Sequence, residues 1–274
     1  MRNQLREKAA IKAANFLRKK LNIQSENPIG IVLGTGWGDK LLIENLHEVS
    51  FEEVPGFSKL AKLQGHDRKF IYGIVEGREV VVLKGRIHLN EDPGNSEIYK
   101  MVRLQIETLM KLGVKKLVTT CAAGALPGTK LEPGNIVLID GFMTLSAPQM
   151  PLWAGEFTSP EDTLSEGLRN IALKQRKNYG SKIKMGGYAM VLGPYFEGRN
   201  YDKKALSNTG AVCVGMSTLP EACIVGLYPE CSLLSIAFIT NDAFGVHSHE
   251  ANIKKAGKFS VKLGKYLARV IKKI

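Results

Sequence analysis

No apolar run in this chain approaches the roughly 20 residues that a helix needs to cross a bilayer, so no membrane span is expected. Met1–Lys20 carries basic residues but neither the apolar core nor the cleavage pattern of a signal peptide. It reads instead as an amphipathic helix with Leu5, Ala9, Ala13, Phe16 and Leu17 on one side. Cysteine is scarce. Cys121, Cys213, Cys223 and Cys231 form no C-x-x-C pair and no ligand-like spacing with histidine, which argues against a disulfide framework or a zinc module. Three of them lie in apolar runs, where buried free thiols are usual, and a cytoplasmic protein is expected. His247 and His249 have no third His or Cys spaced to join them, so no metal is expected. Linkers and internal repeats are missing too, which predicts a single domain over residues 1–274.

Acidic residues are in deficit. Against 38 Lys and Arg stand 26 Asp and Glu, a formal net charge of +12. No RNA-binding signature or basic–aromatic alternation accompanies the excess. Lysines such as Lys254, Lys255, Lys258, Lys262 and Lys265 are spread over helix surfaces instead. The charge implies a solvated surface that attracts anionic ligands, with no nucleic-acid partner. Hydrophobic residues make up 44% of the chain, enough for a proper core.

What is present is organised around Pro28–Gly38, P-I-G-I-V-L-G-T-G-W-G. A β-rich run, Ile29 to Leu33, stops at Gly34, Gly36 and Gly38, with the Thr35 hydroxyl between them. Glycine permits positive φ and lets an anion approach bare N–H groups. The loop lacks the Lys-Ser/Thr of a P-loop, and Lys40 falls where a dinucleotide fingerprint needs its third glycine. From this stretch alone it is either a phosphate cradle or a tight turn without a ligand.

Further along, Val54–Phe70 is broken by Pro55, Gly56 and Gly65 and holds the polar loop Gln64-Gly65-His66. Phe70–Val75, a Glu76-Gly77 turn and Glu79–Leu83 predict a hairpin. Arg86, His88 and Asn90 follow at i, i+2 and i+4, so an extended segment turns them the same way while Ile87 and Leu89 face the core. A guanidinium and an imidazole so placed suit an oxyanion, the alternative being an edge strand with a solvated polar face. Asn95 or Ser96 can cap a helix to Leu112, with Gly113 as its stop. Lys115–Thr120 reads as a strand entering a small-residue loop, Cys121–Ala125, and Ile136–Ile139 as another strand. Gly141–Ser159 has no period and carries Met150, Trp153 and Phe157, as a lid or subunit contact would. A helix is expected from Pro160 to about Lys177. The strand Met185–Leu192 ends at Phe196-Glu197, either an exposed turn or a site for a flat ligand that stacks and donates N–H. After the strand Ala211–Val214, Thr218 and Glu221 spell a capping box with Pro220 in the first turn, which puts Ser217 at a helix N-terminus. A last strand, Ser232–Thr240, ends in Asn241-Asp242, ahead of His247, His249 and a long C-terminal helix. The alternation predicts an α/β fold, a central mixed and partly parallel β-sheet flanked by helices, with ligands at strand ends.

Seven segments in order, G-T-G-W-G, G-H at Gly65–His66, G-R-I-H at Gly85–His88, A-A-G at Ala122–Gly124, G-P-Y-F-E at Gly193–Glu197, G-M-S-T-L-P-E at Gly215–Glu221 and T-N at Thr240–Asn241, together resemble the trimeric class of purine nucleoside phosphorylases. The resemblance spans nearly the whole chain. It implies phosphate-dependent cleavage of inosine, guanosine and their 2′-deoxy forms to purine and (deoxy)ribose 1-phosphate, in purine salvage by a homotrimer. Phosphate would be a co-substrate, and no cofactor is implied. Thr35, His66, Arg86, His88, the backbone N–H of Ala122 and Ser217 would hold phosphate, with Glu91 steadying His88. Val214 would contact the substrate, Met216 would pack under the sugar, His249 or His247 would reach its 5′-hydroxyl, and Phe157 would cover it from a neighbouring subunit. Phe196 would stack near the base, Glu197 would accept its N1–H, and Asn241 would donate to its N7/O6 edge. His88, Glu197 and Asn241 are the residues implied in catalysis. The chain departs from the family at four places: Asn90 stands where tyrosine is usual, Cys121 replaces an asparagine, Asp140-Gly141 stands where a strand motif ends in D-H, and Asp242 replaces a residue often basic or neutral. Methylthioadenosine phosphorylase is the alternative, but that enzyme lacks a glutamate at 197 and uses aspartate at 241. A non-catalytic nucleoside-binding protein of the same fold is the other.

Overall fold

The computed structural model describes residues 2–37, 40–58, 67–92, 94–153, 155–180, 182–193, 195–245 and 248–274, with residues 2–6, 178 and 249 described by their backbone alone. Side-chain alternation sets the faces of its sheet. In β1 (Ile29–Leu33), Ile29, Ile31 and Leu33 join one apolar cluster and Val32 the other. In β4 (Arg78–Lys84), Val80 and Val82 face the first cluster, Val81 and Leu83 the second. A strand apolar on both faces must be covered on both, as parallel strands with helical crossovers are.

Two layers of helix do this. On one side lie α1 (Arg2–Lys20) with Ala13 and Leu17, α2 (Ser96–Lys111) with Ile98 and Leu109, and α5 (Leu219–Val225) with Ile224. On the other lie α3 (Glu166–Lys174) with Leu168 and Ala172, and α6 (His249–Lys273) with Leu263, Leu267 and Val270. The remaining helix, α4 (Asp202–Asn208), begins four residues after Gly198. Asn95 caps α2 and Gly113, at φ +93°, ends it, as its sequence predicts.

The other strands are β2 (Glu44–Ser50), β3 (Lys69–Val75), β5 (Lys116–Ala125), β6 (Ile136–Met143), β7 (Ile183–Met190), β8 (Ala211–Gly215) and β9 (Ser232–Asn241). They run in the order β2-β3-β4-β1-β5-β8-β7-β6-β9, and β5 also pairs with β9, so the last five strands close into a ring. β1 is parallel to both β4 and β5, and β5 is parallel to β9, whereas β8 and β6 run antiparallel to β5 and β9. The mixed sheet between helices is therefore borne out. The predicted hairpin is β3–β4, turned by Glu76 and Gly77 at φ 50° and 78°, the two positive values of a type I′ turn.

Several local expectations need correction. Cys121–Ala125 is not a loop: its backbone continues β5 and pairs with β8 and β9, because small residues fit inside the ring. α3 begins at Glu166, where the Ser165 hydroxyl accepts from Leu168 N–H, rather than at Pro160. Thr218 and Glu221 form no capping box. Thr218 takes φ 66° and its hydroxyl turns inward to Thr119, 2.7 Å away, while Glu221 pairs with Arg86. β2 and α4 had no sequence signal; β2 has five exposed residues in a row and is held by its ladder to β3.

Candidate active site

The parallel arrangement of β4, β1, β5 and β9 brings their C-terminal ends to one edge of the sheet, where open α/β sheets bind ligands. There the chain delivers Gly85-Arg86 after β4, Gly34-Thr35 after β1, Ala122 within β5 and Asn241 at the end of β9. β8 reaches the same place from the opposite direction: Val214 pairs with Gly124, so Gly215 and Met216 emerge beside Ala122. Glycine is required at this crossing. A Cβ on Gly215 would lie 2.4 Å from the Tyr188 hydroxyl, and one on Gly124 would lie 2.8 Å from Asn241 Nδ2.

The glycine loop folds as a tight turn, with Trp37 N–H donating to Gly34 O. Gly34 N–H donates to Thr120 Oγ1 at 3.0 Å, and Trp37 Nε1 donates to Cys121 O at 3.2 Å, so β5 holds the turn from beneath. Gly36 sits at φ +84° with Ala256 of α6 against it, a contact no larger residue could keep. Thr35 is left half-buried at the tip. Cys121 keeps its thiol in the core, where burial pushes it up to about 12, so it is a neutral filler.

Arg86, His88 and Asn90 do turn the same way, while Ile87 and Leu89 are buried behind them. The segment is not a strand; Gln105 of α2 holds it by accepting from Ile87 N–H and donating to Ile87 O, at 3.0 and 3.1 Å. All three residues meet the segment that runs from the end of β8 into α5. Arg86 Nη1 lies 2.6 Å from Glu221 Oε1, and Nη2 donates to Thr120 O. His88 Nε2 lies 3.2 Å from Ser217 Oγ, and Asn90 Nδ2 lies 3.4 Å from Met216 Sδ. Arg86, His88, Met216, Ser217, Pro220 and Glu221 line one cleft.

Second partners fix these groups in place. Glu91 Oε1 accepts from His88 N–H at 2.8 Å and lies 3.3 Å from ring Nδ1, while its other oxygen pairs with Arg68. Ser217 N–H donates to the Tyr188 hydroxyl at 3.1 Å, and burial pushes that phenol well up, so it stays neutral. Ser217 therefore offers the cleft its hydroxyl, its amide being engaged behind. Sequence reasoning assigned no part to Arg68 or Tyr188, and neither lies in a motif that could have marked it.

At the end of β9, Asn241 is buried, with Oδ1 accepting from Thr240 Oγ1 at 3.1 Å and Nδ2 3.3 Å from Asp242 O. Asp242 turns away: its carboxylate accepts the N–H groups of Gly245 and Phe244, at 2.5 and 2.9 Å, which hold its pKa below the usual range. It is thus committed to its own loop. Glu197 is buried and lies 3.6 Å from Nζ of a fully buried lysine, Lys203. Phe196 is partly exposed. Val214 is packed with Leu126, Ala189 and Leu206 in a small cluster and pairs with Gly124 across β5 and β8. Phe157 stands 92% exposed on the 144–165 loop and is not brought to this chain's own cleft. His66 and His247 lie outside the described residues; His249 opens α6, and only its backbone is described.

A family model for the phosphorylase superfamily matches residues 28–274. Purine nucleoside phosphorylase 1 of Geobacillus stearothermophilus is 30% identical over 85% of this chain and 84% of its own length. The purine nucleoside phosphorylase of Mus musculus is 31% identical over 85% and 81%. The chain belongs to the phosphorylase superfamily, among the purine nucleoside phosphorylases. Its family makes it a pentosyltransferase, and the resemblance read from seven short motifs is borne out. Isoform 2 of purine nucleoside phosphorylase from Schistosoma mansoni, solved with cytosine and ribose-1-phosphate, superimposes with a TM-score of 0.83 at 27% identity, over 97% of this chain and 96% of that one. In a purine nucleoside phosphorylase fold, the meeting of β4, β5 and β8 ends is thus the candidate active site.

Proposed function

We propose that the cleft binds inorganic phosphate beneath a purine nucleoside and that the enzyme cleaves inosine and guanosine, with their 2′-deoxy forms, to the base and (deoxy)ribose 1-phosphate. The observation that carries this reading is the meeting of His88 and Ser217, 129 residues apart, at 3.2 Å beside the buried Arg86. An imidazole, a hydroxyl and a guanidinium converging on one cleft match an oxyanion. Thr35 and the Ala122 N–H lie on the adjoining strand ends and complete the phosphate site, and the family resemblance adds His66 to it. The sugar rests on Met216 beside Asn90, and the family resemblance assigns its 5′-hydroxyl to His249 or His247.

Glycosidic cleavage builds an oxocarbenium-like sugar and an electron-rich purine. Phosphate itself is the nucleophile at C1′, so the protein supplies none. Its tasks are to hold the phosphate and to stabilise charge on the leaving base. Asn241 donates to N7 as charge gathers there, an interaction stronger in the transition state than in the ground state. Glu197 accepts the N1–H of a 6-oxopurine beside Phe196; adenine presents an acceptor at N1 and would face the carboxylate unpaired. Glutamate at 197 and asparagine at 241 favour this reading over methylthioadenosine cleavage. Phe157, exposed on its loop, covers the sugar of a neighbouring subunit in a homotrimer, and the enzyme works in the cytoplasm without a cofactor.

Base release from inosine, guanosine, adenosine and methylthioadenosine, each with and without phosphate, tests the proposal. Phosphate-dependent release from the first two alone is expected. Release from methylthioadenosine in preference to inosine would overturn the specificity, and release without phosphate would overturn the reaction.

A further inference from the structure

Lys203 has no role in anything argued so far, yet it is fully buried, on the first turn of α4. A buried ammonium is costly unless its partners compensate it. Its Nζ donates to Ala243 O at 3.0 Å and lies 3.6 Å from Glu197 Oε1. Ala243 is two residues beyond Asn241, so one side chain spans the carboxylate proposed to meet N1 of the base and the loop carrying the amide proposed to meet N7. The approach is built, not incidental. Asp202 Oδ2 accepts from Gly198 N–H at 2.8 Å and Lys203 N–H donates to Gly198 O at 3.0 Å, which clips the start of α4 to the residue after Glu197.

We propose that Lys203 is a specificity-determining positioning residue: it draws Glu197 Oε1 toward α4, leaves the other oxygen as the acceptor, and sets the distance between the two base-edge contacts. This rests on the reading of Glu197 and Asn241 given above. Lys203 touches neither the base nor the reacting atoms in this role. It acts through Glu197, by fixing an acceptor that pairs with an N1–H and repels an N1 lone pair. A site that recognises a hydrogen-bonding edge rejects analogues only as firmly as the acceptor is held.

The test is a double-mutant cycle of Lys203→Met and Glu197→Gln, with kcat and KM measured for inosine, adenosine and phosphate. Lys203→Met is expected to lower kcat/KM for inosine by roughly tenfold or more and to narrow the preference for inosine over adenosine, with KM for phosphate unchanged. In the Glu197→Gln background the same substitution is expected to cost less than about threefold, since its partner is already gone. A general structural role would instead raise KM for phosphate too and cost as much in both backgrounds. That outcome, or unaltered discrimination in Lys203→Met, overturns the proposal. If Lys203→Met does not fold, Lys203→Gln keeps a donor for Ala243 O, removes the charge and is held to the same expectations. Failure of the underlying reading shows in the wild type alone, as inosine left intact with phosphate present.

Discussion

Arg86 and Glu221, 135 residues apart, form a buried ion pair of 2.6 Å at the back of the cleft, with side chains 1% and 3% exposed. The guanidinium also donates to Thr120 O, so strand β5, the segment after β4 and helix α5 are joined at one point. A charge that far from water depends on its partner. Truncating Glu221 to alanine is expected to cost about 3–5 kcal/mol of stability by stranding Arg86, and glutamine to cost less because it keeps an acceptor. Urea unfolding midpoints measure both.

His88 is fixed by Glu91 and faces Ser217. His88→Ala is expected to raise KM for phosphate roughly ten- to hundredfold, the worth of one charge-assisted hydrogen bond of about 1.5–3 kcal/mol. KM for inosine at saturating phosphate should move little. Steady-state kinetics with either substrate varied separates the two.

Asn241 is expected to show the opposite pattern. Its amide is oriented by Thr240 and the Asp242 carbonyl before any base arrives. Asn241→Ala should lower kcat with inosine by about 10²–10³, the usual loss for a preorganised donor to a developing charge, while phosphate affinity is kept.

Asp242 gives a pH prediction with a definite sign. Backbone N–H groups of Gly245 and Phe244 lower its folded pKa. The stabilisation it adds is therefore complete above its unfolded value of about 4 and is lost as pH falls through the lower folded value. Asp242→Asn should be less stable than wild type at pH 6, with the gap closing below about pH 4. Thermal unfolding across that range reads it directly.

Phe157, 92% exposed, contributes nothing to this chain's own core. Its loop is nevertheless anchored: Arg103 of α2 pairs with Glu107 and Glu156 and donates to Pro151 O. Phe157→Ala is expected to leave the unfolding midpoint unchanged and to raise KM for inosine several-fold, with light scattering giving a trimer for both proteins. A fully active monomer contradicts the subunit-crossing role.

The strands, the hairpin and the cleft-lining motifs could be read because their signals are local. The β-rich apolar run Ile29–Leu33, the Glu76-Gly77 turn and the i, i+2, i+4 spacing of Arg86, His88 and Asn90 each act within a few residues. What could not be read depends on partners far away. Thr218-x-x-Glu221 has the spelling of a capping box, but Thr119 of β5 and Arg86 of the segment after β4 take both side chains. Cys121–Ala125 looks like a loop because small residues are ambiguous alone; ring closure between β5 and β9 makes it a strand. Lys203 looks like any surface lysine in the polar stretch before Ala205, and only the fold reveals that Glu197 lies beside it.

The most direct test of the account is the fate of the sugar. Inosine and phosphate incubated with the enzyme and followed by phosphorus NMR should give ribose 1-phosphate in amounts equal to the hypoxanthine released. Hypoxanthine accompanied by free ribose, with inorganic phosphate unconsumed, would contradict it.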